Sequence, residues 1–284
     1  MQATPAIARS AKSARKRWGL FALLLVLVAV VNMPIISMIL NSFKTTGVIL
    51  TDPSILPKNP TLVNYYYLST RTNFWLFFRN SMIVAGSGTL ICITAATLGG
   101  YVLSRFTMRP VRAYSNFLLM MQMFPLLLAL IPLFILFRNV GLTNSFGSVI
   151  LIYSVAQLPF STWMFKAFFD SVPRELEEAA EIDGCSRPMA FRHVVLPLAA
   201  PAMAAVTIFA FLFSYNEYLI ANVFLKKTEM MTVPVGIQLF MQQFSSDWGN
   251  LMAASTMAMV PTFILFLFVQ RYMMYAAIGS AVKG

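Results

Sequence analysis

The stretch Glu-Ala-Ala-Glu-Ile-Asp-Gly at residues 178–184 lies in a polar break between two long apolar runs. Six of the chain's ten carboxylates fall in or just before it: Asp170, Glu175, Glu177, Glu178, Glu181 and Asp183. Pro173 suits the first position of a helix, where carboxylates favour the positive end of the helix dipole. Gly184 predicts the end of that helix. We therefore predict a short amphipathic helix outside the membrane, in which Ala179 and Ala180 let another surface approach the backbone closely.

The composition indicates a membrane protein. Of 284 residues, 58% are hydrophobic and 11% are charged, a balance that excludes a soluble domain of this length. The net charge of +11 comes from basic residues that flank apolar runs, which favours membrane topology over nucleic-acid binding. Cys92 falls in an apolar run and Cys185 in the polar acidic loop, so the two are not expected to pair. His193 is the single histidine. The sequence therefore predicts no metal site and no catalytic triad.

Six apolar runs are long enough to cross a hydrocarbon core of about 30 Å. They lie at about residues 20–40, 81–103, 114–136, 148–168, 198–224 and 251–269. In the second run, Ala96 and Gly100 form a small-xxx-small pair suited to close helix packing. The third run is interrupted by Pro125 and Pro132, so we expect neighbouring helices to surround it.

Two polar connections and the chain end lie outside these apolar runs. Residues 41–76 form a polar connection in which Pro53, Pro57 and Pro60 argue against a helix. A second polar connection lies between the fifth and sixth runs. The chain end at 275–284 is predicted to be a glycine-containing tail, too polar to remain in the membrane.

Charge predicts the orientation. With six crossings, both termini lie on the same side, and that side carries 14 of the 21 Lys and Arg residues. The excess places the termini and the acidic loop in the cytoplasm. The predicted organisation is a basic cytoplasmic N-terminus at 1–17, a six-helix transmembrane domain at 18–274 with its cytoplasmic loop at 170–197, and a cytoplasmic tail at 275–284.

The acidic stretch resembles a loop of ABC-importer permeases. The resemblance rests on Glu178-Ala179-Ala180, a glycine at 184, Val194 and then Leu196-Pro197. It extends along the chain through short matches to the carbohydrate branch of that family, namely Asn64-Tyr65, Asn80-Ser81, Gly141-Leu142-Thr143-Asn144, Asn216-Glu217 and Ala281-Val282-Lys283-Gly284. In this order, the matches are similar to the smaller permease subunit of maltose-type importers.

The resemblance implies an all-α membrane protein with the type I ABC-importer permease fold. It also implies that the cytoplasmic loop is a coupling helix that docks on a separate ATPase subunit. The residues that would carry this coupling are Glu178, Ala179, Ala180, Asp183, Gly184, Arg187, Leu196 and Pro197. The tail would reach the interface between two ATPase subunits through Gly279, Val282, Lys283 and Gly284.

The family assembly implied by the resemblance contains a homologous second permease, two ATPase subunits and an extracytoplasmic solute-binding protein, in the inner membrane of a bacterium. The sequence has no G-x-x-x-x-G-K-[ST] motif, so this chain is not expected to hydrolyse ATP. No cofactor is expected on it, because ATP and Mg would bind to the partner ATPase. Membrane lipids are expected partners, and nucleic acid is not.

Four polar residues within the apolar runs are candidates for the translocation cavity or its gate: Tyr215, Asn216, Glu217 and Gln157. Carboxylates, amides and aromatic faces suit sugar recognition, and an equally ordinary role is a structural hydrogen bond at the outer end of the fifth run. The substrate stays open among mono- and oligosaccharides, polyols, glycosides and phosphorylated or sulfonated sugars. The alternative function is an ion-coupled secondary transporter.

Overall fold

The computed structural model describes residues 6–241 and 247–281. They fall into two compact units, one made of residues 6–70 and 247–257 and the other of residues 71–241 and 258–281. Both units are built of helices joined by turns, which confirms the predicted all-α architecture.

The first unit contains the first candidate membrane span and the loop that follows it. Its helices are α1 Ala6–Asn41, α2 Thr46–Thr51 and α3 Val63–Arg71. The segment Trp18–Asn41 is long and apolar enough to cross a membrane, and its most apolar window is not buried by the described parts of this chain.

The expectation that residues 41–76 contain no helix is wrong. The prolines at 53, 57 and 60 lie between α2 and α3 and interrupt neither. The side-chain amide of Asn64, in α3, donates to the carbonyls of Ser42 and Lys44, each at 2.8 Å. These contacts fix α3 against the end of the first span, a tertiary effect that local turn signals do not contain.

The second unit holds most of the remaining helices. Their bounds are α4 Phe74–Arg105, α5 Arg109–Met123, α6 Leu126–Asn139, α7 Phe146–Ser171, α8 Glu175–Ile182, α9 Arg187–Ala190, α10 Leu196–Leu198, α11 Ala200–Asn216, α12 Leu219–Phe224 and α13 Val233–Gln238. A π-helical segment at Phe191–Val195 joins α9 to α10, and a short 3-10 helix occupies Thr228–Met230. The last helix, α14 at Trp248–Ala281, begins in the first unit and continues in the second.

Six crossings are compatible with these helices. Four segments of the described chain are long and apolar enough alone, and two bent helix pairs bring the number to six when each pair is taken as one crossing. In one pair, the chain bends by 100° between α5 and α6. In the other, it bends by 75° between the segment Arg187–Leu198 and α11.

The third crossing is broken at Pro125, as its sequence predicts, whereas Pro132 lies inside α6 without ending it. Its expected enclosure by neighbouring helices is only half realised within this chain. Phe137 is buried in a cluster with α7 and α12, while Leu128 and Ile131 remain 66% and 72% exposed. The described helices of this chain therefore cover one side of α6 and leave its other side exposed.

The fifth crossing is not the continuous helix expected at 198–224. It ends at Asn216 and restarts at Leu219, because Glu217 takes an extended conformation with φ −72° and ψ 125°. Between this crossing and the sixth, α13 is buried where the sequence predicts only a polar connection, with Val233 and Val235 2% and 4% exposed.

The expected tail at 275–284 is helical as far as the description extends. The backbone of α14 continues through Gly279 to Ala281, and residues 282–284 lie outside the described chain. A single glycine costs a helix about 1 kcal/mol relative to alanine and does not by itself end it.

Small residues bring α4 and α7 together, as the Ala96–Gly100 pair predicts. Ala96 is fully buried, and a Cβ added to Gly100 would lie 2.6 Å from the Cβ of Phe165 and 2.9 Å from the backbone nitrogen of Lys166. Backbone contact of this kind leaves no room for a side chain. The two helices run in the same direction. Gly88 of α4 contacts Tyr153 in the first half of α7, and Gly100 contacts Phe165 nearer the C-terminal end of both helices.

We predict that Gly100→Ala destabilises the chain by about 1–3 kcal/mol, the usual cost of overpacking, because helix backbone blocks the added methyl group. Gly86→Ala, also in α4, is the matched control, since no atom lies within 4 Å of its added Cβ. Thermal unfolding of the purified variants checks the prediction. Equal melting temperatures for the two variants would contradict it.

Candidate functional site

The acidic helix α8 is attached to the second crossing by a buried ion pair. Arg105, the last residue of α4, contacts Oε1 of Glu177 through both Nη2 and Nε at 2.6 Å. The hydroxyl of Tyr101 donates to Oε2 of the same carboxylate at 2.7 Å. The two charged side chains are only 8% and 12% exposed. Because a buried charge is stable only when it is paired and hydrogen-bonded, this geometry fixes α8 to the end of α4.

The same guanidinium closes the end of α7. It donates through Nη1 to the carbonyl of Phe169 at 2.8 Å and through Nη2 to the carbonyl of Val172 at 3.2 Å. A cation at a helix C-terminus satisfies unpaired carbonyls and the negative end of the helix dipole. Arg105 therefore joins the ends of α4 and α7 to the start of α8.

An aromatic cluster lies beneath this ion pair. The ring of Tyr101 contacts Phe191, with centroids 4.5 Å apart, and meets Phe169 edge-on at 5.9 Å. Phe165, Phe169 and Val195 are fully buried. Since Phe191 opens the π-helical segment, the chain that leaves the acidic loop is packed against α4 and α7 before α11 begins.

Gly184 ends α8 as its sequence predicts. It has φ +91°, where a side chain would be strained, and its N–H donates to the carbonyl of Glu181 at 3.1 Å. The N–H of Cys185 reaches back to the carbonyl of Ala180 at 2.9 Å, which completes a Schellman motif. The predicted start is two residues early, because Pro173 precedes α8, which begins at Glu175 after Arg174.

The coupling residues predicted on α8 are divided between two faces. Ala180 is 9% exposed and faces the protein, whereas Glu178, Ala179 and Asp183 are exposed. Three apolar side chains are exposed as well: Ile182 is 86% exposed, Met189 48% and Leu176 43%. α8 and α9 therefore expose both carboxylates and aliphatic side chains.

The other predicted coupling residues lie on the segment that follows. Arg187 forms an exposed ion pair with Glu181, with Nε 3.1 Å from Oε1. Leu196 is half-buried and Pro197 is exposed, both in α10. They belong to the bend that joins the loop to α11, and not to α8 itself.

Glu217 forms a capping interaction at the break between α11 and α12. Its carboxylate accepts hydrogen bonds from the hydroxyl of Tyr153 at 2.7 Å and from the backbone N–H of Ile220 at 2.9 and 3.0 Å. The N–H of Ala221 donates to it at 3.1 Å. These three donors stabilise the carboxylate and attach the start of α12 to α7.

The remaining cavity candidates do not converge on Glu217. Tyr215 is buried, and its hydroxyl donates to the carbonyl of Ala258 at 3.0 Å. The exposed Asn216 donates to the carbonyl of Leu212 at 2.9 Å. Gln157 lines a separate apolar groove of about 780 Å³ formed by α5, α6, α7 and α11.

Of the four predicted tail residues, one lies within the described part of the chain and three lie beyond it. Gly279 is part of α14, and Val282, Lys283 and Gly284 lie outside the described residues. Within the described ranges 6–241 and 247–281, no group of three or more His, Cys, Asp or Glu side chains is placed to hold a metal ion.

Sequence reasoning missed the importance of Arg105, Tyr101 and Glu177. The sequence presents Arg105 as one of several cations at the end of a crossing and Glu177 as one of six clustered acids. Nothing local distinguishes this arginine from Arg109 or Arg112, because its partners are 64 to 72 positions away.

We predict that Glu177→Ala releases α8 from α4, because removal of one partner of a buried ion pair costs about 3–5 kcal/mol. Glu181→Ala on the same helix is the matched control, since exposed pairs contribute about 0.2–1 kcal/mol. Alkylation of Cys185 measures the release, with the buried Cys92 as internal reference. Alkylation of Cys185 should accelerate by about tenfold or more in Glu177→Ala, the ratio that 1.4 kcal/mol produces. Equal rates in both variants would contradict the anchoring role.

Several known proteins are similar to this chain in sequence. The diacetylchitobiose uptake system permease protein DasC of Streptomyces coelicolor is 32% identical over 252 residues, covering 88% of this chain and 91% of DasC. The sulfoquinovosyl glycerol transport system permease protein SmoH of Agrobacterium fabrum is 35% identical, with 88% of each chain covered. The trehalose/maltose transport system permease protein MalG of Thermococcus litoralis is 34% identical, with 88% and 91% covered.

Two solved structures share the fold at low sequence identity. One is a bacterial ABC transporter involved in the import of the acidic polysaccharide alginate, with a TM-score of 0.78, 21% identity and coverage of 96% of this chain and 99% of that chain. The other is a bacterial alginate ABC transporter in complex with an alginate pentasaccharide-bound periplasmic protein, with a TM-score of 0.66, 17% identity and coverage of 91% and 94%. These matches confirm the predicted ABC-importer permease fold.

A family model described as binding-protein-dependent transport system inner membrane component matches residues 88–276, a range that includes the acidic loop, Glu217 and most of α14. The chain belongs to this family of multi-pass inner-membrane permease subunits, as the resemblance in its sequence predicts.

Proposed function

We propose that this chain is the permease subunit of an ATP-driven importer for a sugar or sugar derivative, and that it forms half of the translocation pathway. The three relatives described above are named for diacetylchitobiose, sulfoquinovosyl glycerol and trehalose or maltose, all of them saccharides or glycosides. Their similarity extends over 88% of this chain, which supports a substrate of the same chemical class.

The observation that carries the coupling role is the outer surface of α8. Ile182 is 86% exposed beside the exposed Glu178 and Ala179, and the loop lies between two crossings. Together with the exposed Met189 and Leu176, Ile182 offers apolar area that a docked partner would cover. We assign that partner to a separate ATPase subunit, with ATP and Mg bound there, because the sequence of this chain has no phosphate-binding motif.

The contacts of α8 explain how movement would reach the membrane. Arg105 binds α8 to the ends of α4 and α7, and the Phe191 ring packs the following segment against Tyr101. A displacement of α8 by the ATPase would therefore move these crossings together, which suits alternating access. A homologous second permease, a second ATPase subunit and an extracytoplasmic solute-binding protein complete the proposed assembly.

The proposed orientation follows from charge. With 14 of 21 cations on the side of the termini and of α8, that side is the cytoplasm of a bacterial cell. Gly279 and the last three residues, Val282 to Gly284, then also lie on the ATPase side. This position supports the proposal that the chain end contacts the ATPase interface.

Glu217, Asn216, Tyr215 and Gln157 stay proposed residues of the pathway or its outer gate. The hydrogen bonds of Glu217 favour a role in holding α12 against α7, which would shape the gate. They also bear on the rival class: ion-coupled transporters use intramembrane ionisable groups, and the carboxylate of Glu217 is already occupied by protein donors.

We predict that Ala179→Leu abolishes co-purification of the ATPase subunit and ATP-dependent uptake, because the larger side chain holds the docking surface away from the α8 backbone. Ala113→Leu is the matched control, an exposed alanine on α5. Affinity purification of the permease followed by quantification of bound ATPase checks the prediction. Retention of full ATPase by Ala179→Leu would show that α8 is not the docking site.

A further inference from the structure

The apolar groove formed by α5, α6, α7 and α11 contains two glutamine side chains, Gln122 and Gln157. Gln122 lies at the end of α5 and Gln157 in α7, and within the described residues neither side-chain amide has a hydrogen-bond partner. The other described residues that line the groove are apolar, among them Phe160 and Phe213. Its volume of about 780 Å³ lies within the range of about 300–1,000 Å³ for small-molecule sites, which combine apolar walls with a few polar groups.

Interrupted helices add backbone acceptors to this groove. Pro159, inside α7, has no N–H, so the carbonyl of Val155 loses the donor that a helix provides. At the break before Pro125, the carbonyl of Gln122 accepts no backbone hydrogen bond from the described residues. Val155, Pro159 and Gln122 all line the groove. Its occupant must therefore offer hydrogen-bond donors as well as acceptors.

These polar groups lie in the middle of their crossings. Gln157 is the twelfth of the 26 residues of α7, about 17 Å along a helix of about 39 Å. Pro125 separates the 15 residues of α5 from the 14 of α6. Irregular backbone at membrane depth is tolerated where it lines a water-filled cavity or is buried in protein, and not against hydrocarbon. Since a lipid acyl chain has neither donors nor acceptors, it is a poor occupant.

A helix of the second permease subunit fits these groups less completely than a polyhydroxy ligand does. The N–H groups inside a helix already donate to carbonyls of the same helix, so only side chains could reach Val155 and Gln122. A hydroxyl group is both donor and acceptor, and a carboxamide complements it in both roles. Saccharides carry many hydroxyl groups, and their apolar C–H faces can be buried against rings such as Phe160 and Phe213.

We propose that the apolar groove binds an uncharged saccharide in transit, and that Gln122 and Gln157 hold its hydroxyl groups. No charged side chain is among the described residues that line the groove, and an ionised sulfonate, phosphate or carboxylate is costly to bury without a cation. This inference rests on the proposed function and deepens it, because it narrows the substrate to neutral saccharides. It also adds Gln122, which sequence reasoning did not select.

Uptake by the wild-type complex is measured first. Proteoliposomes with the permease pair, its ATPase and the solute-binding protein receive ATP and a panel of neutral mono- and oligosaccharides and polyols, together with sulfonated and phosphorylated sugars. We expect ATP-dependent uptake of a neutral saccharide. Uptake of anionic sugars alone would overturn this inference and leave the proposed function intact. If no member of the panel is taken up, the proposed function itself fails.

Cysteine labelling in nanodiscs then locates the imported saccharide. Ala129→Cys and Ala156→Cys place a thiol in the groove and keep both glutamines, while Leu128→Cys is the matched control on α6 outside the groove. All carry Cys185→Ser, since Cys92 is buried. A water-soluble methanethiosulfonate should label both groove thiols. The saccharide at about ten times its Kd should slow this labelling about tenfold, because the free fraction falls as 1/(1 + [L]/Kd). It should not change labelling in the control.

Leucine variants test the two amides. Gln122→Leu and Gln157→Leu are each combined with Ala156→Cys, and Gln238→Leu is the matched control, an exposed glutamine outside the groove. Labelling without saccharide should be unchanged, which shows that the groove is intact. Protection at the same saccharide concentration should fall from about tenfold to about threefold or less, since one hydrogen bond contributes about fivefold to affinity. The control should keep full protection.

Three results of the labelling overturn the proposal. Groove thiols that the reagent does not reach in the assembled complex would show that the second permease or lipid covers the groove. Equal labelling rates with and without the imported saccharide would show a water-filled cavity that does not bind it. Full protection in both leucine variants would assign the contact to groups other than Gln122 and Gln157.

Discussion

A guanidinium at the end of a membrane crossing has five N–H donors to satisfy where bulk water is scarce, and Arg105 does so with protein groups. Its bonds to Glu177, Phe169 and Val172 bring the ends of α4 and α7 and the start of α8 to one point. The position of α8 depends on this point, because its eight residues are too few to form a stable helix alone. The surface that α8 exposes is therefore held in place by one buried cation.

The two faces of α8 have opposite requirements. Its inner face is held by Glu177, Ala180 and the turn at Gly184, while the aliphatic side chain of Ile182 remains outside. A rigid helix with an uncovered apolar side chain suits transmission of force from a partner.

Much of this fold could be predicted from the sequence because its signals are local. Apolar run length marks the crossings, Pro125 marks the break in the third, Gly184 the end of α8, and Ala96 with Gly100 the α4–α7 contact. The choice of Glu177 for Arg105 and of Tyr153 for Glu217 could not be predicted, since each joins residues more than 60 positions apart. The helix α3 was missed for the same reason: distant carbonyls of Ser42 and Lys44 stabilise it.

The energy source distinguishes this account from its main rival most directly. Sugar uptake should be measured in proteoliposomes that contain the purified permease pair with its ATPase and solute-binding protein. We predict uptake only when ATP is on the side of α8 and the binding protein is on the opposite side of the membrane, with no effect of proton or sodium gradients. Uptake driven by an ion gradient with the permease alone would contradict it and assign the chain to secondary transport.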